Sequence, residues 1–475
     1  MIKLIFLMLA LLPPIGLAAE VASRKSSALT LEEVLSAAQK AFPGLLSAEQ
    51  RKQVAAGELT AAEGGFDTLL KSQNRWSITG LYENENNDVS LEQPTALWGT
   101  TFFGGWRRGV GDYPVYEGKS QTTVSGEARI GVNVPLWRNR DIDRRRANLK
   151  QAELGQLIAG HEYDQALIEI TRLTTYRYWD WVLAGQRLVV AKHLLTIAEQ
   201  RDKGIRERVA AGDIPEFEAL DNQRAIIERR ERVVAAQRLL EQSAIQLSLY
   251  WRDANDQPTL PTDEQLPTQF PDPDSIKTVS LDEALQTSLM QRPESKRLEL
   301  QAKQTQTELE LQQNQRAPGI DFTVTAANDI GGDSRDKINR NELYLGLNID
   351  IPLQQRTATG RAQVASANVH RLNLDRRLQD DRIAAEVKDV FSALSAVKKR
   401  LTLSTQQLNA AEQLEDGEKT RFELGESTLL FVNLREIAKG DAALQYAEAT
   451  ASLFRSYADY QAILGIKEQI NDLSN

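Results

Sequence analysis

The chain has no cysteine. That absence removes disulfides, thiolate metal sites, cysteine nucleophiles and lipid attachment at a cysteine, so stability must come from packing. Histidine and methionine are scarce, at three each. His161, His193 and His370 each sit in a long charged stretch without a His-x3-His or Glu-x-x-His partner, which reads as surface or groove rather than ligand. So few methionines also argue against a thioether copper pathway. No Walker loop, Gly-x-Ser-x-Gly elbow or Rossmann glycine pattern occurs. The residues therefore point to no enzyme, no cofactor and no metal. Long hydrophobic runs are missing beyond the N-terminus, and with 26% charged residues over 475 positions the chain cannot be a polytopic helical membrane protein. A net charge of −9 gives no electrostatic reason to expect nucleic acid as a partner. Proline is absent between Pro135 and Pro215 and after Pro352, two gaps long enough for very long helices.

The N-terminus is an address. Lys3, the apolar run Leu4 to Leu12, and the small residues Gly16, Ala18 and Ala19 form a Sec signal peptide cleaved after Ala18 or Ala19. Pro13 and Pro14 cut the run too short for a membrane anchor. Nothing later is apolar enough to span a bilayer as a helix, so membrane insertion after export has to use β-strands.

The remainder is written twice. Thr30-Leu31-Glu32-Glu33-Val34-Leu35 recurs as Ser280-Leu281-Asp282-Glu283-Ala284-Leu285, each copy opening with a capping box and followed by a proline, Pro43 and Pro293. Ile130, Val132, Val134, Pro135 and Leu136 match Leu347, Ile349, Ile351, Pro352 and Leu353; Arg144 matches Arg361. Arg208 and Gly212 match Arg421 and Gly425. The expected organisation is a signal peptide over 1–18, a first repeat over 19–256, a proline-rich extended linker over 257–279, a second repeat over 280–467 and a tail over 468–475.

Each repeat opens with a helix, passes through two short β-segments joined by a loop, enters a very long helix, turns at a glycine and returns. Trp76, Ile78, Gly80 and Tyr82 alternate with Ser77, Thr79 and Leu81, and Ile320, Phe322, Val324 and Ala326 with Asp321, Thr323 and Thr325. Leu343, Leu345, Leu347, Ile349 and Ile351 share one parity against Tyr344, Gly346, Asn348 and Asp350. Such alternation makes a strand apolar on one face and polar on the other. A soluble sandwich uses the same pattern, and the strands alone favour it. Flanking Trp76, Tyr82, Trp98, Trp106, Tyr113, Tyr116 and Trp137 shift the balance toward a membrane, because aromatic residues gather at its interfaces. Four strands per chain cannot close a barrel, which needs about eight, but three chains supply twelve.

The helix from Asp143 to Arg208 would reach roughly 100 Å at about 1.5 Å per residue. Its return carries Ala219, Ile226, Val233, Leu240 and Leu247 at intervals of seven, with Ile227 and Val234 adjacent. The second repeat has Leu430, Ile437, Leu444, Ala451 and Ala458. Seven-residue spacing means coiled-coil packing, and two adjacent columns let a helix touch neighbours on both sides, as in a barrel of helices.

With the Tyr178-Trp179-Asp180 stretch and the paired Arg-x-x-x-Gly turns, this order of elements resembles the TolC family of outer-membrane channel proteins over nearly all of the mature chain. The resemblance implies a mainly α fold with a small β part. Long antiparallel helical hairpins would form an α-barrel tunnel, and four β-strands per chain would join a trimeric 12-stranded outer-membrane β-barrel. It implies an outer-membrane homotrimer extending into the periplasm, embedded in outer-membrane lipid. Its partners would be a periplasmic adaptor and an inner-membrane transporter, in an efflux pump or type I secretion system. The turns at Arg208, Gly212, Arg421 and Gly425 would be the adaptor-docking tips, and Asn348 and Asp350 would face the lumen. The segment from Asn84 to Ser125 reads as a long extracellular loop of a size that could plug or cover the pore or bind something, with an inert lid as the safer reading. Relatives often carry two aspartates six and nine residues after the second turn glycine; here those positions are Phe431 and Leu434, with Glu218 and Asp221 in the first copy. The expectation is a mainly hydrophobic gate at Phe431 and Leu434 with Glu218 and Asp221 adding charge nearby; packing of Phe431 between helices stands as an equal reading. The competing class is a non-transporting exported coiled-coil scaffold.

Overall fold

A computed structural model describes residues 28–331 and 341–467; the expected signal peptide and C-terminal tail lie outside the described residues. The first repeat starts with two helices, α1 (Leu31–Ala41) and α2 (Pro43–Glu63). Thr30 caps α1 reciprocally with Glu33, and Pro43 occupies the first turn of α2, where its missing N–H costs nothing. Four strands follow, β1 (Leu69–Ser77), β2 (Asn84–Pro94), β3 (Thr101–Gly111) and β4 (Glu127–Pro135). Then come α3 (Arg144–Ala210) and α4 (Glu216–Ser248). The second repeat has α5 (Leu281–Gln291), α6 (Pro293–Asn314), β5 (Gly319–Asp329), β6 (Asn341–Asp350), α7 (Arg356–Glu423) and α8 (Leu429–Ile463). Ser280 caps α5 by accepting from the Glu283 N–H at 3.3 Å, and Pro293 again opens the next helix. Each repeat thus begins with a helix pair where one helix was expected, broken at the proline.

α3 and α7 run 67 and 68 residues, about 100 Å each at the usual rise. Each is flanked by shorter helices laid end to end. α2 and α4 both pack on α3, and at their joint Phe42 stacks on Tyr250 with centroids 5.1 Å apart. α6 and α8 both pack on α7 as well as on α3. On the side of the glycine turns, the helices therefore lie in the order α4, α3, α8, α7. The outward column of α4, Ile227 and Val234, is exposed, while Ile226, Leu240 and Leu247 are buried.

The largest core lies midway, where α1, α3 and α8 meet. Trp179 stacks on Phe454 at 4.5 Å, Trp181 is fully buried beside Val182, and Tyr178 donates from its hydroxyl to the Leu29 carbonyl at 2.8 Å. Burying an aromatic of this size contributes roughly 1.5–3 kcal/mol. The linker is fastened to this core rather than free. Phe270 packs against both Trp179 and Phe454, with ring centroids 5.9 and 6.4 Å away, and Leu266 lies so close over Gly185 that a Cβ there would come within 2.6 Å of it.

The sheet corrects the expected strand count. Among the described residues it has six strands in the order β1-β2-β3-β4-β5-β6, all antiparallel, in place of four. The first strand ends at Ser77, so Ile78, Gly80 and Tyr82 fall in the turn before β2. The segment read as a long loop contains the β2–β3 hairpin, paired into the sheet between β1 and β4. The alternation was missed because β2 has only Val89 and Leu91 as large apolar residues and β3 holds four glycines, residues that depress strand propensity. No helix of the described residues is long and apolar enough to cross a membrane.

Candidate functional site: a two-faced sheet and the helical tips

Directly opposed residues in an antiparallel sheet point to the same face. Following the register from strand to strand, Leu345, Val324 and Val132 line up with Phe102, and Leu343, Ala326 and Ile130 line up, across Gly104, with Leu91 and Leu70. The opposite face carries Asn348, Asp321, Thr323, Asn133, Arg129, Arg107, Asp88, Glu92, Lys71 and Arg75. Over β4, β5 and β6 the first side is nearly all hydrocarbon; on β1, β2 and β3 it keeps Leu70, Val89, Leu91, Phe102 and Trp106 but also carries Ser72, Asn74, Asn87 and the Arg108–Glu85 pair.

A sandwich would bury the apolar side under a second layer. Here Leu345 is 66% exposed and Leu347 60%, and among the described residues no α-helix packs along the sheet. The six strands are 9, 11, 11, 9, 11 and 10 residues long. About 9–11 tilted residues are what a bilayer core requires. Exposed Trp76, Tyr82 and Tyr116 mark the end away from the helices; Trp98 and Trp137 mark the end beside them. Such paired aromatic girdles bracket membrane-spanning barrels.

Polar-face charges are matched across strands. Lys71 Nζ sits 2.5 Å from Glu92, and Arg107 pairs with Glu127 and Arg129 with Asp88. Both expected lumen residues lie on this face. Asn348 is opposite Asp321, and Asp350 is opposite Gly319 and held by Arg138 at 2.5 Å. Where sheet meets helices, a cavity of about 950 Å³ is lined by Asn133, Asp321, Arg144, Arg356 and Arg361, so the repeated arginines Arg144 and Arg361 share one chamber.

At the far end the two turns are built alike. The Gly212 N–H bonds the Val209 carbonyl at 3.0 Å and the Asp213 N–H bonds that of Arg208 at 2.9 Å. Gly425 to Phe422 and Glu426 to Arg421 repeat the pattern at 3.0 and 2.8 Å. This is the Schellman cap, which needs a left-handed residue; both glycines have φ +79°. The arginine carbonyls are thus satisfied by backbone, while the Arg421 guanidinium reaches back to the Glu426 carbonyl at 3.4 Å.

The gate candidates lie just beyond these turns. Phe431 and Leu434 are 51% and 52% exposed on α8, whose Leu429, Val432 and Asn433 face inward, so neither is core within the chain. Glu218 and Asp221 are in the first turns of α4, where the helix dipole favours negative charge; Asp221 accepts from Arg224 at 3.2 Å. The two pairs therefore sit on different helices, both packed on α3.

No family model matches the chain, and no curated protein matches it. Solved structures do. The CmeC outer membrane channel of Campylobacter jejuni superposes at TM-score 0.63 and 14% identity, over 92% of this chain and 86% of that one. The MtrE outer membrane channel of Neisseria gonorrhoeae, in its open state, gives 0.63 and 15% over 92% and 88%. The outer membrane protein VceC of Vibrio cholerae gives 0.63 and 15% over 92% and 96%. The chain has the fold of the TolC-type outer-membrane channels.

Within that fold lies a buried ionic cluster which the sequence reading passed over. Glu436 of α8 is fully buried and accepts from Arg201 of α3 and from Arg229 of α4, the latter at 2.9 Å. Arg229 is itself 4% exposed and also donates to the Leu194 carbonyl at 2.7 Å, and Arg201 donates to Asn433 at 2.7 Å. Burial lowers the pKa of Arg201 despite the opposing charge of Glu436, yet an arginine keeps its proton at neutral pH. The signal was available. Glu436 shares a seven-residue column with the buried Leu429, Thr450 and Tyr457, and Arg229 one with the buried Asn222 and Ser243. A charge at a core register position needs a partner. Nearby, Glu415 of α7 lies 2.8 Å from both Lys419 and Lys439; burial opposes its charge, but those hydrogen bonds outweigh burial and hold its carboxyl below the usual range.

Proposed function

We propose that this protein is an outer-membrane channel-tunnel that passes substrate from the periplasm to the exterior as a homotrimer. It would work with a periplasmic adaptor and an inner-membrane transporter, in an efflux pump or type I secretion system. The observation that carries the reading is the uncovered apolar face of a sheet with bilayer-length strands, mounted on helices of about 100 Å. Lipid is the solvent that tolerates such a face, and it tolerates no open strand edge. β1 and β6 are both edges within one chain, and α4 and α7 are the edge helices. The exposed column of Ile227 and Val234 on α4 then has a neighbouring chain to meet. A coiled-coil scaffold has no use for the sheet.

At the tunnel mouth, three copies of Phe431 and Leu434 form the proposed hydrophobic constriction, which closes by dewetting. Glu218 and Asp221 would supply negative charge beside it. The four tip residues Arg208, Gly212, Arg421 and Gly425 are the proposed adaptor contact. The membrane reading is tested by washing membranes with carbonate and weighing the detergent-extracted protein. Retention in the outer-membrane fraction as a trimer is the expected result, and release as a monomer refutes it. The gate is tested in planar bilayers. Replacing Phe431 and Leu434 with serine should raise single-channel conductance; a loss of trimer stability at unchanged conductance would assign them to packing.

A further inference from the structure

Resting on the channel reading, we infer that the β2–β3 hairpin is part of the pore wall, so that three chains close an eighteen-stranded barrel wider than the helical tunnel below it. The register is the first argument. The hairpin strands pair with each other end to end, β2 pairs with β1 over residues 84–92 and β3 with β4 over residues 101–107, and β1 and β4 do not pair with each other. Each is 11 residues, as long as β5 in the wall itself.

The second argument is chemical. In the half of the hairpin nearer the helices, Leu91, Val89, Phe102 and Trp106 continue the apolar face while Asp88, Glu92 and Arg107 continue the polar one; beyond that band, toward the β1–β2 turn, the same outer face carries Asn87 and the Arg108–Glu85 pair. Arg129 on β4 reaches across β3 to Asp88 on β2, a path kept open by Gly105; a Cβ there would lie 2.5 Å from the Val89 carbonyl oxygen. Phe103 covers Gly131 opposite it so closely that a Cβ on Gly131 would meet the ring at 2.3 Å. A hairpin standing off as a cover would have no reason to match both faces and both neighbours.

Closure follows from direction. With six alternating strands β1 and β6 run oppositely, so β6 of one chain and β1 of the next meet antiparallel, as barrels require. Barrel diameter grows roughly linearly with strand number, so eighteen strands give a pore about 1.5 times as wide as twelve, in the range that leaves an aqueous channel. The four-helix layer of α4, α3, α8 and α7 is not enlarged in step. The narrow point is therefore in the helical part, and the outer barrel is a wide exit chamber with a charge-matched wall.

Because the chain has no cysteine of its own, single cysteines can carry spin labels without background. Labels at Leu91→Cys and Ser90→Cys test β2, and Leu347→Cys and Asn348→Cys report on β6. In proteoliposomes, oxygen should relax the 91 and 347 labels and an aqueous nickel chelate the 90 and 348 labels. If 347 and 348 alternate while 90 and 91 are equally open to nickel, the hairpin is outside the wall and this inference fails, though the channel reading stands. If 347 and 348 do not alternate either, both readings fall. Electron microscopy of the full-length assembly should count eighteen strands; twelve overturns the proposal. Removing residues 84–126 joins Glu83 to Glu127 and replaces Asn84 by another polar-face residue opposite Ser77, so facing is preserved. That variant should image about 1.5-fold narrower. If it fails to assemble, the strand count of the full-length protein decides.

Discussion

Glu436→Ala perturbs a fully buried charge on α8, near the glycine turns. The carboxylate is fully buried and is the shared acceptor for Arg201 and Arg229, side chains on two other helices. Its removal leaves Arg229, 4% exposed, with the Leu194 carbonyl and a long 3.4 Å contact to Asn433. Breaking a buried pair by deleting one partner costs about 3–5 kcal/mol, because a charge remains without compensation or water. Arg201 retains Asn433 and partial access to solvent, so the burden falls on Arg229. The loss should appear locally, where α3 and α4 are fastened to α8. At about 1.4 kcal/mol per factor of ten, amide exchange around residues 429–444 should speed up by roughly a hundred- to a few-thousand-fold. Replacing Arg229 and Glu436 together by methionine should restore most of the protection, since exchanging a buried pair for apolar residues is often neutral or stabilising. Exchange in Glu436→Ala within about threefold of the parent protein would refute the reasoning. A double variant as unprotected as the single one would show that packing, not the orphaned charge, carries the cost.

Leu347→Lys should destabilise assembly by roughly 2–4 kcal/mol at mid-bilayer, whereas Asn348→Lys, on the polar face, should mainly alter conductance; equal losses in a refolding assay would contradict the facing. Gly425→Ala places a Cβ at φ +79° in open space, so the cost is backbone strain of about 1–2 kcal/mol. Gly425→Asn should cost less than Gly425→Ala by thermal unfolding, and adaptor crosslinking should fall with bulkier residues if this turn is a docking tip. Glu415 has a folded pKa depressed below the ordinary 4.5, so its contribution is present above that value and lost as pH falls through the lower folded one. Glu415→Gln should therefore differ from the parent in stability at pH 6, and the gap should close as pH falls below the depressed folded pKa of Glu415; a gap unchanged across acid titration would contradict this.

Much of the architecture was legible because it rests on local rules. Two proline-free gaps and seven-residue columns specify α3, α4, α7 and α8. Pro43 and Pro293 mark first turns, and Gly212 and Gly425 mark reversals, since each constrains its own backbone whatever surrounds it. The alternation of β4, β5 and β6 was equally plain, being strict and rich in β-branched and leucine residues. Other features were decided only by the tertiary structure. β2 and β3 carry too few apolar residues and too many glycines to announce themselves, and their glycines suit them because neighbouring strands and rings occupy the space. Glu436, Arg201 and Arg229 are far apart in sequence, so their burial shows only once three helices converge. Whether an apolar strand face meets a second sheet or lipid is not a property of the strand at all. It depends on what the rest of the chain covers, and here it leaves that face open.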